Sequence, residues 1–231
     1  MEYNKQEKNE LLYKKAIKYD SRTYCEYYIS LMQTKHVVIF SFYLNNDYNS
    51  RIIKIDLFFN SFIIYLTINA LFFSDGIIHR IYDNRGNYQL LYQLPQIIYS
   101  TLISSVLNII IKTLALSQDS IIKLKSNKNK SDLKERESDL NNKLSIKFIL
   151  YFIISSIYLL LFWYYLSLFC AIYVNTQIHL IKDTLISFGL SFIYPFFLYL
   201  IPGLLRIPAL SNKKEQKTFL YDISKIIQKI L

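Results

Sequence analysis

Two short segments hold the residue types that metal chemistry uses. In "DGIIHRIYDNRG", Asp75, His79 and Asp83 recur at four-residue intervals, which places them on one face if the segment is helical. "HLIKD" sets His179 and Asp183 at the same spacing. Imidazole nitrogen and carboxylate oxygen together suit a divalent cation, and both segments are expected on one side of a membrane. They are also short polar loops between apolar stretches, and such loops must carry some charge. No metal and no other cofactor is therefore expected, and Asp75, His79, Asp83, His179 and Asp183 stand only as weak candidates.

Three further polar residues lie inside apolar runs: Asn69, Asn108 and Lys112. Lys112 is near the end of its run, where a lysine reaches the headgroups along its own methylene stem. The asparagines suit hydrogen bonds between helices, each worth on the order of 1 kcal/mol. A transport path would use the same residues, but no row of acidic groups or gating arginines accompanies them. The chain has four glycines and no phosphate-cradling loop, metalloprotease helix, thiolate cluster or nucleophile elbow. It is not expected to be an enzyme.

The elements that carry these residues are long apolar runs. A helix that crosses a bilayer needs about 20 apolar residues, because each adds about 1.5 Å against a core of about 30 Å. Four spans are expected, at 55–73, 94–116, 147–174 and 184–205, with Pro95 in the first turn of the second and Pro195 and Pro202 kinking the fourth. "NTQIHLIKDT" between the last two is expected to be a turn, in which Lys182 and Asp183 neutralise each other and Asp183 or Thr184 caps span four. The order of the charges separates this from a soluble helical protein. Of 27 Lys and Arg, nine precede span one, eight fall between spans two and three counting Lys147 at the boundary, and six follow span four. Two lie between spans one and two and one between spans three and four. Positive charge alternating loop by loop puts both termini in the cytoplasm.

The expected class is thus an all-α polytopic membrane protein in three parts. Residues 1–54 form a cytoplasmic segment, in which Tyr24, Tyr27, Tyr28 and Leu31 share a helical face that suits either ordinary packing or the headgroup layer. Residues 55–205 form the membrane domain, with a cytoplasmic loop at 117–146 that is expected to be a solvated hairpin or a flexible linker and contains the sequon Asn129–Lys130–Ser131. Residues 206–231 form a basic amphipathic tail with Phe219, Ile223, Ile226 and Ile230 on one stripe and Leu220 and Ile227 beside it, suited to a membrane surface or a partner helix. Cys25 and Cys170 are expected to be unpaired, the second as a small buried hydrophobe. No signal peptide opens the chain, and nothing in the charged segments suggests nucleic-acid binding.

The segments "KYDSRTYCEYYISLMQTKH", "NDYNSRIIKI", "INALFFSDGIIHRIYDNRGNYQLLYQLPQIIYSTLISSVLN", "FWYYLSLFCAIYVNTQIHLIKDTLISFGLSFIYPF" and "IPGLLRIPAL" occur in that order from about residue 10 to about residue 210. Together they resemble a membrane region near the C-terminal end of large, mostly uncharacterised surface proteins of ciliates and other protists. The resemblance implies a membrane anchor for repeat-rich ectodomains. Here the chain opens at Met1 in the predicted cytoplasmic segment, so it reads as a stand-alone module or a gene fragment. The function expected is a non-catalytic membrane module that anchors or assembles surface polypeptides, its partners being the lipid bilayer and other membrane proteins. The alternative is a small channel or carrier with its path between the spans near Asn69 and Asn108.

Overall fold

The computed structural model describes residues 3–43, 47–126, 133–173, 176–211 and 218–230, and the sequon Asn129–Lys130–Ser131 lies outside them. The described residues are helical and contain no strand. Among the described residues, four stretches are long and apolar enough to cross a membrane: Arg51–Phe72, Leu90–Ala115, Glu135–Ile172 and Gln177–Ser211. The chain divides into two compact units, Ser50–Ser191 and the pair of segments Met1–Asn49 and Phe192–Leu231.

The terminal unit holds α1 (Lys5–Glu10), α2 (Tyr13–Tyr19), α3 (Tyr24–Lys35) and α4 (Val37–Phe42). The middle unit holds α5 (Arg51–Phe72), α6 (Asp75–Asp83), α7 (Leu90–Ala115), α8 (Gln118–Ser126) and α9 (Leu133–Ile172). The division between units falls within α10 (Gln177–Leu198), and the chain finishes with α11 (Leu200–Ser211) and α12 (Thr218–Ile230).

In the middle unit α5 packs against α7 and α9, and α7 packs against α9. Two apolar clusters fill the contacts. Ile64, Ile68, Ile111, Ala115 and Tyr151 form one, and Leu66, Phe73, Ile78, Ile81, Phe169 and Leu180 form the other. Several helices run past the limits expected from hydropathy. α7 starts at Leu90, so Pro95 sits inside the helix and not in its first turn. The segment 117–146 is no flexible linker where it is described: it contains α8 and the first turns of α9. Its charges suit solvation, but Leu, Lys, Glu and Arg without Gly or Pro are strong helix formers in water as well. Asp139 and Lys143 add an i,i+4 ion pair at 2.9 Å, and Lys147 Nζ donates to the Leu116 carbonyl at 2.6 Å.

α10 begins at Gln177, so "HLIKD" is helix and not a turn. The amides of His179 and Leu180 already bond to the Thr176 carbonyl at 3.0 and 3.2 Å. Asp183 is therefore in the second turn and caps nothing. Thr184 likewise donates its hydroxyl back to Leu180 O at 2.8 Å. Where the prolines are expected to kink span four, the helix is interrupted at Tyr199, between α10 and α11. Pro202 has no N–H for the Leu198 carbonyl and its ring crowds that oxygen, which ends the first helix and starts the next.

In the terminal unit α3 packs on α11, α1 and α4, and α12 lies along α11 and touches α2. Asn4 with Glu7 and Thr23 with Glu26 form capping boxes that start α1 and α3. The tyrosine face of α3 is spent on packing: Tyr24 donates to Leu200 O at 3.0 Å, Tyr27 to Gln228 Oε1 at 2.9 Å and Tyr28 to Phe196 O at 3.1 Å. Tyr27 and Leu31 are buried, and Tyr24 and Tyr28 are half-buried. α11 approaches α3 at Gly203, where a Cβ would lie 2.7 Å from Tyr24 Cε2. Cys25 and Cys170 are unpaired and both are exposed, so Cys170 faces outward and is not the buried hydrophobe its neighbours suggested.

Candidate functional site

The polar residues of the middle unit collect where α5, α7 and α10 meet. Asn69 is the hub and is wholly buried. Its amide donates to Tyr65 O one turn back at 2.8 Å and to Ser187 Oγ at 3.2 Å. Its side-chain oxygen accepts from Ser100 Oγ at 2.8 Å, and its carbonyl accepts from Gln96 Nε2 at 3.4 Å. Ser100 and Ser187 lie 3.4 Å apart, each also returning its proton to its own helix, at Ile97 O and Asp183 O. Small hydroxyl residues let helix backbones come close, and one asparagine then ties three of them.

One turn along α10 from Ser187 lies Asp183, with 0% of its surface exposed. What reaches it is Tyr88, delivered by the turn after α6. Arg85 and Gly86 there have positive φ of 53° and 79°, and the Gly86 amide closes back on Ile81 O at 2.8 Å. This reverses the chain within a few residues. Tyr88 then donates its hydroxyl to Asp183 Oδ1 at 2.7 Å, and burial together with that bond pushes the phenol's pKa up. Asp183 Oδ2 has no hydrogen-bond partner.

His179 stands one turn earlier, 5% exposed, its ring 5.8 Å from that of Tyr88. Both ring nitrogens are without a hydrogen bond; the Gly86 backbone is close but does not complete one. Lys182 does not pair with Asp183, and its ammonium lies 5.1 Å over the Tyr88 ring instead. The Ser100–Ser187 contact sets the register, since Gln96 and Asp183 each precede their serine by one helical turn. Gln96 Oε1 is a second buried acceptor with no donor.

The other sequence candidates are placed elsewhere. Asp75, His79 and Asp83 do share one face of α6, but it is the exposed face, with Ile78 and Ile81 turned inward. Asp75 accepts from Tyr173 at 3.0 Å. Among the described residues no three of His, Cys, Asp and Glu come together as metal ligands. Asn108 is half-buried and makes no side-chain hydrogen bond among the described residues, while Lys112 near the end of α7 is also half-buried.

A second polar cluster was missed. Asn60 is buried and its amide donates to Asp56 Oδ2 at 3.1 Å, to the Tyr151 hydroxyl at 3.1 Å and to Ser155 Oγ at 3.3 Å. Tyr151 also donates to Asp56. The four-residue spacing of Asp56 and Asn60 on α5, and of Tyr151 and Ser155 on α9, was the available signal. Gln93 Oε1 is buried without a partner beside a gap of about 10 Å³ lined also by Arg80, Asn84 and Asn87, enough for one water.

Chemically the arrangement is a set of clamps. The Asn69 amide and the Ser100, Ser187 and Tyr88 hydroxyls are spent on contacts, and what remains without a partner includes a buried carboxylate oxygen, an amide oxygen, an imidazole and the Ser104 hydroxyl. Comparison with family models, with curated proteins and with solved structures finds no match to the chain.

Proposed function

We propose that the protein is a non-catalytic, four-span integral membrane module with both termini in the cytoplasm, which anchors or assembles surface polypeptides. The observation that carries this reading is α9. It is a 40-residue helix, yet only 11% of its apolar stretch is buried against its own chain. Ile153, Leu160, Trp163, Tyr164 and Leu168 point outward from it. In water such a surface drives association, whereas in a bilayer it is solvated by acyl chains and remains available to another helix. The alternation of positive charge between the apolar stretches supports the orientation. A photo-crosslinking residue at Leu160 or Trp163, activated in native membranes, is expected to join the protein to discrete polypeptides. Adducts with lipid alone overturn the assembly role.

The second reading, a small channel or carrier, has one observation in its favour. Asp183 is a buried acid near the start of an apolar helix, and ionisable groups in such places mark ion and proton paths. A continuous polar cavity at both asparagines would accompany a path, but Asn69 is tied among three helices and Asn108 makes no side-chain hydrogen bond among the described residues. Proteoliposomes loaded with a pH-sensitive or sodium-sensitive dye separate the two. A leak that Asp183→Asn removes supports transport, and impermeable vesicles support the anchor.

A further inference from the structure

α12 is an amphipathic helix docked the opposite way round from most. Tyr221, Ser224 and Gln228 are its buried face, and they are held by polar contacts: Tyr221 to Leu11 O at 2.7 Å and Tyr27 to Gln228 at 2.9 Å. Lys225 reaches Glu10 O at 2.8 Å from the edge of that face. At 100° per residue the apolar stripe of Phe219, Ile223 and Ile226 points directly away from it. Phe219 is 74% exposed and Ile226 58%. The Tyr221 ring also joins an apolar cluster with Leu11, Ala16 and Ala209, and Leu220 packs against it, but Phe219, Ile223 and Ile226 take no part in that cluster. Their stripe gains burial only where something apolar covers the outer face.

We infer that this face lies on an anionic lipid surface, with Phe219, Ile223 and Ile226 at the level of the upper acyl chains. The inference rests on the membrane reading above. Two features of the chain choose lipid over a protein partner. The terminal unit is basic, with 13 Lys and Arg against eight Asp and Glu, and Lys213, Lys214 and Lys217 fall in the short connection to α12. Each cation near an anionic leaflet adds attraction of its own. The second feature is tethering: only residues 212–217 separate α12 from a stretch long and apolar enough to cross a membrane. Six residues span at most about 22 Å, so the helix cannot leave the neighbourhood of the bilayer if that stretch is inserted.

The test uses the full chain in phosphatidylcholine nanodiscs with or without phosphatidylserine. Single spin-labelled cysteines replace Ile226, Asp222 and Leu160 after Cys25→Ser and Cys170→Ser, and collision with oxygen or with a water-soluble nickel chelate is measured. Ile226 is expected to collide preferentially with oxygen when phosphatidylserine is present and to shift toward the nickel chelate without it, while Asp222 stays closer to water in both. An Ile226 label open to the chelate in both lipids overturns the inference, and one shielded from both reagents shows a protein covering and overturns it as well. Leu160 keeps the two levels apart: if it too is in water, the membrane reading itself has failed.

Discussion

Asp20 and Arg206, 186 residues apart in the chain, meet at 2.9 Å with both side chains out of solvent. The guanidinium also donates to the carbonyls of Lys8 at 2.7 Å and Asn9 at 3.3 Å, and lies 5.0 and 4.7 Å from the rings of Tyr27 and Tyr221. Lys225 and Tyr221 take the carbonyls of Glu10 and Leu11. The last carbonyls of α1, which no helix can satisfy for itself, are thus all met from α11 and α12. This closes the N-terminal and C-terminal segments into one unit. Arg206→Met leaves the carbonyls of Lys8 and Asn9 unmet and takes one of two guanidinium partners from the buried Asp20, which Arg22 still holds at 2.6 Å, so it is expected to lower stability by about 1–3 kcal/mol. Adding Asp20→Asn is expected to lower it further, because the Arg22 pair is then weakened too, as measured by thermal denaturation in detergent.

The same pair sets a pH dependence. Burial raises the Asp20 carboxyl's pKa, but Arg22 at 2.6 Å and Arg206 outweigh it and hold the group below its ordinary value of 3.8. The folded value is depressed, so the stabilisation is fully present above the unfolded pKa and is lost as pH falls through the folded one. Melting temperature is expected to drop steeply below about pH 4. In Asp20→Asn, part of that drop should vanish; an unchanged acid limb rules the pair out as its source.

Gly203 tests the approach of α3 and α11. A Cβ there would meet the Tyr24 ring at 2.7 and 3.0 Å, so Gly203→Ala is expected to cost about 1–3 kcal/mol through overpacking. Tyr24→Ala in the same chain removes the obstructing ring. The double variant should then be no less stable than Tyr24→Ala alone.

Asn69 and Asn108 look alike in sequence and are expected to behave differently. Asn69→Leu breaks links to α7 and α10, although Ser100 and Ser187 keep their bonds to their own helices, and should cost about 1–2 kcal/mol. Asn108→Leu should stay within about 0.5 kcal/mol of the parent. Equal losses in parallel unfolding curves would argue that Asn108 has a partner in the membrane.

Orientation is tested by labelling. In a chain carrying Cys25→Ser and Cys170→Ser, a cysteine at Asn87 should react with a membrane-impermeant thiol reagent in intact cells. One at Ser131 should not, and the reverse pattern overturns the topology.

Helix class, the number of long apolar stretches and the alternation of charge were legible in the residues because each depends on neighbours a few positions away. Periodicity placed Asp75, His79 and Asp83 on one face for the same reason. Tertiary structure alone decided which faces are used. Asp183 and Tyr88, Asn69 and Ser187, Asp56 and Tyr151 pair over separations of 95 to 118 residues, far beyond any periodic pattern. The stripe on α12 was visible, but its outward direction was not. Amphipathicity specifies that a helix has two faces, and it is the donors and acceptors of the surrounding helices, here the open carbonyls of α1, that select the one turned inward.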